Sequence, residues 1–302
     1  MINELNQVQH SYQQPAGSYE HRPREGEYAL ATGAAAVHRL MILHNVCSPV
    51  GRRVLLKAGL KPGMQVVDFG CGIGAVTRMI GDMIGPSGSV TGVDASAAQL
   101  EQARNISGCQ GYTNVSFVQA DACNTGLPRN SFDLVYCRFL LLHLPDPASC
   151  LREMRDVLRP GGLLLVEDGD LASAGSVPPT ALDAFADLWT RLGRRRRLNY
   201  SLARDLYQMV KAAGFNNPEI EIHQPTLDGT EHRSLLKLSV EEAGPAFVGE
   251  GLITSDELER TLADMQTAIE NSNVIALAPR MSLVWARKAL PQDVSSEYLN
   301  DF

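Results

Sequence analysis

The sequence predicts an α/β fold, a mostly parallel sheet with helices covering both faces. Short apolar runs alternate with helical stretches from Met64 to Asp168, a glycine-rich turn joins the first run to its helix, and acidic residues stand where successive runs end. Strands that alternate with helices need crossover connections, and crossovers lay the helices on the faces of the sheet.

Each element has its own signal. The first twenty or so residues are rich in Gln, Ser, Asn and Gly and are expected to stay loose. "GAAAVHRLMILHNV" and "PVGRRVLLKAGL" read as two helices capping the glycine turn, the second ended by Gly59 and the breaker "KPG". "QVVDF" reads as a strand, "VTRMIGDMIG" as a helix, "GSVTGVD" as a strand and "SAAQLEQARNI" as a helix with Ser96 as its N-cap. Strands over "VSFVQAD" and "FDLVYCR" follow, then a helix over "DPASCLREMRDVLRPGG" stopped by proline and glycine, then the strand "LLLVED". Beyond Asp170 the spacing loosens: a helix through "ALDAFADLWTRLGRRRR", an amphipathic helix over "SLARDLYQMVKAAGF" ending at Gly214, a strand over "EIEIHQPTL", helices near 233–243 and 255–270, and a last strand, "RMSLVWARK". The organisation is a tail with cap helices (1–60), one α/β domain (61–290) with lid insertions at about 171–199 and 228–275, and a polar, acidic tail (291–302) expected to be disordered. No internal repeat interrupts it.

Composition narrows the partners. Lysine and arginine total 27 against 34 acidic residues, and the net charge of −7 gives no reason to expect attraction to nucleic acid or anionic lipid. The six cysteines form no CxxC pair and no zinc-spaced cluster, which suits a reducing compartment. The N-terminal stretch lacks the apolar core of a signal peptide and the basic pattern of a transit peptide, and no apolar run reaches spanning length. A soluble cytoplasmic protein is expected.

In an open parallel sheet, ligands bind outside the carboxyl ends of the strands, where strand order reverses. Asp94 lies twenty residues after Gly74, the spacing at which a carboxylate takes both hydroxyls of a ribose; it would also serve to cap the helix at Ser96. Asp121 could accept from an exocyclic amine with Ala122 presenting its amide to a ring nitrogen, or could simply end a strand. The turn reads G-C-G-I-G and not G-x-G-x-x-G, so its third glycine comes one residue early. Asp68 stands just before it, where an acid would repel pyrophosphate but could hold a cationic amine. A nucleoside carrying an amino acid suits this arrangement better than a dinucleotide does.

Five segments, "VVDFGCGIG", "VTGVDAS", "FVQADA", "FDLVYCRFLLLHLPDP" and "LRPGGLLLVED", stand in this order over about Gly63 to Asp168. Together they resemble the class I S-adenosylmethionine-dependent methyltransferases, and within them the small-molecule branch that includes ubiquinone and menaquinone methyltransferase-like enzymes. The resemblance implies a Rossmann-like sheet of seven strands whose last, "RMSLVWARK", runs antiparallel. It implies that Gly70, Gly72 and Gly74 admit the methionine part of the cofactor, Asp68 its amino group, Asp94 the ribose, Ala95 the adenine face, Asp121 and Ala122 the adenine edge, and Arg138 the methionine moiety. Tyr28, in "GEYALATG", resembles a lid tyrosine closing over the cofactor. S-adenosylhomocysteine would be the product.

The sulfonium methyl is attacked in line, so the protein supplies alignment, desolvation and a base where one is needed. His143 in "LLLHLPDP" is the candidate base, its ordinary pKa of about 6.5 suiting proton removal near neutrality; packing against the cofactor or capping near Asp146 is the alternative. Arg194 to Arg197 could meet an anionic substrate, although a solvated helix end accounts for them too. His223 and His232 fall in the region of the substrate wall and read as structural. The (D/N)-P-P-(Y/F) motif for planar amino nitrogens is absent after the fourth strand, and no clear metal constellation stands out, although Glu167, Asp168 and Asp170 cluster at a strand end. Phe185, Leu188, Trp189, Leu192, Phe247, Leu252 and Ile253 suggest an apolar pocket under a lid for a small organic acceptor. A homodimer is admitted. Two other functions compete: a cofactor-binding protein of this fold that transfers no methyl group, and a nicotinamide-dependent oxidoreductase, disfavoured by the early third glycine and Asp68.

Overall fold

A computed structural model describes residues 28–30, 32 and 36–290; the expected N-terminal and C-terminal tails lie outside the described residues. Ten strands and eight α-helices follow one another among them: α1 (Val37–Ala58), β1 (Gln65–Phe69), α2 (Ala75–Ile84), β2 (Ser89–Asp94), α3 (Ala97–Cys109), β3 (Val115–Gln119), β4 (Phe132–Arg138), α4 (Pro147–Val157), β5 (Leu158–Asp170), β6 (Gly175–Val177), α5 (Ala184–Arg196), α6 (Leu206–Ala212), β7 (Asn216–His223), β8 (Thr226–Leu227), α7 (Gly229–Gly249), α8 (Ser255–Glu270), β9 (Ile275–Leu277) and β10 (Arg280–Arg287).

Seven strands form one sheet in the order β3-β2-β1-β4-β5-β10-β7. β1 pairs in parallel with both β2 and β4, so the order reverses beside it and a crevice opens at the carboxyl ends. β10 is antiparallel to both β5 and β7, as the resemblance implies. Val66, Val67, Phe69, Leu134, Val135 and Tyr136 are fully buried, which explains why the central strands read as continuous apolar runs: helices cover both of their faces.

Three expectations need correction. The two cap helices are one, with Pro49 inside it. An interior proline removes a helical hydrogen bond, but buried residues on both sides of it, Ile42, Cys47, Gly51, Val54 and Leu55, dock the helix as a single body. Secondly, the helix after Asp146 ends at Val157, and "LRPGG" already belongs to β5; Leu158 and Arg159 turn extended because a residue ahead of proline disfavours the helical region. Thirdly, "EIEIHQPTL" divides. β7 stops at His223, and β8 joins β6 and β9 in a separate three-stranded antiparallel sheet whose outer strands are too short to have announced themselves by alternation.

Candidate functional site

The chain leaves β1 through Gly70, Gly72 and Gly74, all left-handed, with φ of +69°, +53° and +73°. The amides of Gly70 and Cys71 donate to the Val93 carbonyl at 2.8 and 3.0 Å, and the Gly72 amide donates to Asp94 Oδ2 at 2.8 Å. At Gly72 a Cβ would meet nothing nearer than 3.9 Å, because that position lines a cavity. At Gly74 a Cβ would fall 2.8 Å from the Phe117 ring. Gly74 is not among the residues lining the cavity; it permits close packing of the turn on β3 and α3, a role apart from the ligand approach expected for it.

The cavity holds about 410 Å³ and lies at the carboxyl ends of the central strands. It brings together Tyr28, Asp68, Gly70, Gly72, Asp94, Ala95, Asp121, Ala122, Arg138 and His143, every other residue anticipated for the site. The Asp94 carboxylate braces the turn, its Oδ1 accepting from the Ser96 amide at 2.9 Å, while Ser96 itself caps α3 by accepting from the Gln99 amide. Burial pushes the Asp94 carboxyl up against the pull of these hydrogen bonds. Asp121 Oδ1 accepts from the Cys123 amide at 2.8 Å, holding a tight turn beside Ala122.

Asp68 is buried, and its Oδ2 accepts from the Thr77 hydroxyl at 2.7 Å. It forms no ion pair among the described residues, and desolvation raises its pKa to about 7. Arg138 lies near it. Tyr136, Glu167 and Asp68 favour its charged form, its Nη2 lies 3.4 Å from His44 Nδ1, and its Nη1 is buried without a partner. An ammonium group would compensate Asp68, and a carboxylate would satisfy Arg138. A buried acid without an ion pair, a buried guanidinium nitrogen without a hydrogen-bond partner and the open face of Gly72 fit the amino acid end of an S-adenosylmethionine molecule.

His143 closes the short 3₁₀ turn Leu141–His143 after β4. Tyr28, Tyr200 and Trp189 surround its ring edge-on at centroid distances of 4.8, 5.6 and 6.5 Å. Desolvation, reinforced by the positive charge of Arg39, lowers its pKa to about 3, so the imidazole is neutral and weakly basic.

Other candidates are placed elsewhere. None of Arg194 to Arg197 lines the cavity; Arg196 pairs with Glu250 at 3.0 Å, and Arg194, Arg195 and Arg197 are exposed at the end of α5. His223 ends β7 and His232 lies early in α7, both away from the lining. Glu167 accepts from the Tyr136 hydroxyl at 2.5 Å, Asp168 from the amides of Leu142 and Gly169, and Asp170 is clasped by Arg204 and Arg280 at 2.8 and 2.9 Å. Each acid thus has a structural partner, and among the described residues no group of three His, Cys, Asp or Glu is disposed to hold a metal. No described helix is long and apolar enough to cross a membrane.

Of the apolar residues expected in the pocket, Phe185 and Trp189 line it; Leu188, Leu192, Phe247, Leu252 and Ile253 do not. The sequence reading missed Leu235, Leu236 and Ser239 of α7, and Arg39. Arg39 had a signal: it precedes Ile42 and Leu43 at helical spacing, a charge placed in an apolar stripe.

A family model described as a methyltransferase domain matches residues 60–216, just over half of the chain. A ubiquinone/menaquinone biosynthesis C-methyltransferase of Hahella chejuensis is 43% identical over 111 residues, 36% of this chain and 45% of that protein, so the match spans under half of the relative's length. The aklanonic acid methyltransferase of Streptomyces sp. strain C5 is 29% identical over 181 residues, 56% of this chain and 82% of that one. In fold, the chain is similar to a Haemonchus contortus phosphoethanolamine N-methyltransferase solved with S-adenosylhomocysteine, at a TM-score of 0.51 and 17% identity over 85% of this chain and 54% of that one. Strand order, the glycine turn and the family match agree, and the chain belongs to the methyltransferase-domain family.

Proposed function

We propose that the protein is an S-adenosylmethionine-dependent methyltransferase that acts on an oxygen, nitrogen or activated carbon of a small organic acceptor. One observation carries the reading: Asp68, Asp94, Asp121 and Arg138, from the ends of successive strands, line the same cavity as the open face of Gly72. When bound, the cofactor supplies an electrophilic methyl group whose bonding pair leaves with sulfur. In this reading Asp68 and Arg138 hold the amino acid end, Asp94 takes the ribose hydroxyls with the lone pairs its two backbone amides leave free, and Asp121, Ala122 and Ala95 meet the adenine. Tyr28 stands at the mouth, 43% exposed and packed on His143, as a lid residue would.

Relatives named for ubiquinone/menaquinone biosynthesis and for aklanonic acid support a small organic acceptor, and quinone-like or specialised metabolism in the cytoplasm is the setting we favour. Partners other than the acceptor are not part of this reading, except that a homodimer is compatible with it. In this reading α1, with insertions at about 171–199 and 228–275, forms the lid of a domain running from 61 to 290.

Calorimetric titration tests the cofactor: S-adenosylhomocysteine should bind, and NADH should not. Stronger dinucleotide binding would favour an oxidoreductase. Incubation with methyl-labelled cofactor and metabolite extracts tests the reaction; tight cofactor binding with no labelled product in any extract would favour a protein that binds without transferring.

His143 is the candidate base. Its low basicity suits an acceptor that is acidic in its own right, and a base contributes roughly 10² to 10⁴-fold in such reactions. His143→Asn should lower kcat towards the small end of that range with cofactor affinity retained. Near-normal turnover with bound cofactor would remove the residue from the chemistry.

A further inference from the structure

The cavity lining includes the apolar residues Leu142, Leu171, Phe185, Trp189, Leu235 and Leu236, which the methyl-transfer reading takes as the acceptor end. One cation stands in that wall. Arg39 on α1 is 3% exposed, and its Nε donates to Glu242 Oε2 of α7 at 2.7 Å. That pair balances the charge but leaves a donor over: Arg39 Nη2 is buried and has no hydrogen-bond partner.

A buried donor left without a partner is destabilising, the more so when the group is charged. Joining α1 to α7 does not explain it, because Nε alone performs that task. The groups beside the guanidinium are the Tyr28 hydroxyl and the His143 ring. His143 can offer no anion, and the Tyr28 hydroxyl, hydrogen-bonded to the Arg39 side chain, has its pKa raised above the ordinary phenol value and stays neutral. A guanidinium in a dry wall is strongly selective for a planar oxyanion, since its N–H groups point in a fixed fork and the low dielectric strengthens the attraction.

We infer that Arg39 selects the methyl acceptor, and that the acceptor presents a resonance-stabilised oxyanion, a carboxylate or a phenolate or enolate, to Nη2. The inference rests on the methyl-transfer reading and gives it a substrate class. Burial first and the Arg39 charge second hold His143 neutral, and the same charge beside the acceptor favours an ionised hydroxyl there over a protonated one.

Paired probes test it on the protein saturated with S-adenosylhomocysteine: 2-naphthoate against 2-naphthamide for a carboxylate, and 4-nitrophenolate against 4-nitroanisole at pH 8 for a phenolate, each titrated calorimetrically. At least one anion should bind about tenfold or more tightly than its neutral partner, and which pair discriminates tells carboxylate from phenolate. The double variant Arg39→Gln, Glu242→Gln, which leaves neither charge stranded, should abolish the preference while the neutral probes bind as before. Should that variant not fold, Arg39→Lys, which keeps the charge and loses the fork, should cut the preference several-fold. Equal binding of both pairs by the unaltered protein overturns the inference, as does a preference that survives these substitutions. A preference lost when S-adenosylhomocysteine is added overturns it as well, because the anion would then have occupied the cofactor's carboxylate position. Failure of the methyl-transfer reading looks different: S-adenosylhomocysteine would not bind at all, whatever the probes do.

Discussion

Asp68 shows how a residue can be costly to the empty fold and useful to the filled one. Its carboxyl titrates near 7 in the folded chain and near 3.8 when exposed, so the folded state holds a proton that the unfolded state releases between those values. Stability contributed by the protonated form is present below about pH 4 and is lost as pH rises through 7. Asp68→Asn removes this penalty while keeping an acceptor for Thr77. The ligand-free variant should melt a few degrees higher at pH 8, for a gain of about 1–2 kcal/mol, and the advantage should vanish towards pH 4. In the proposed reading the same substitution removes the partner of the cofactor's ammonium group, so S-adenosylhomocysteine should bind at least about tenfold more weakly. For the unaltered protein, binding should strengthen as pH rises from 5.5 to 7.5 and release a proton at the lower end, measurable by calorimetry in buffers of different ionisation enthalpy. A pH-independent affinity would contradict the assignment of Asp68.

At the scale of elements, α1 carries the clearest conflict between local preference and packing. Pro49 is exposed on that helix while its neighbours Cys47, Ser48 and Gly51 are buried. Helix interiors resist proline by about 3 kcal/mol, but the stiff residue also restricts the unfolded chain. Pro49→Ala should therefore raise stability by about 1–2 kcal/mol in denaturant titration; a loss would mean that the proline shapes the helix for docking. That conflict is also why the sequence reading divided α1: proline is the strongest local stop, and nothing local announces Glu167 Oε2 3.2 Å from where a Cβ on Gly51 would stand. Where signals were local and agreed with tertiary packing, as in β1, β4 and the Ser96 cap, elements were legible to within a few residues. Asp68, Asp94, Asp121 and Arg138 were legible because each stands at a strand end and the topology carries strand ends to one place. Leu235 and Ser239 were not, since their entry into the cavity depends on how α1 and α7 cross, which no periodicity encodes; Arg39 was marked only as a charge in an apolar stripe, with nothing local to say what that stripe faces. Gly74 was seen as a required glycine, but its neighbour proves to be Phe117, more than forty positions away in the chain.

At the scale of the molecule, the cavity is assembled from parts far apart in the chain: the start of α1, four strand ends, α5 and α7. The core that supports it is similarly dispersed, with β10 seated between β5 and β7. Removing residues 280–302 should cost far more than the loss of eight paired residues implies. β7 would have no neighbour in the sheet, and Leu165, Val166 and β5's free edge would lie open to water. The truncated chain should be aggregation-prone and show little amide protection in β7, with hydrogen exchange as the measurement; a soluble chain with β7 still protected would show that the main sheet tolerates the gap. The placement of β10 also sets an order in time. During synthesis β1 to β5 can pair as they emerge, but β7 must wait, with Ile220 and Ile222 more than a third exposed even in the finished fold, until Arg280 to Arg287 leave the ribosome. The sheet is closed from within by a late-arriving strand, and any pause in translation before residue 280 would prolong the interval in which an unmated edge must be kept from other chains.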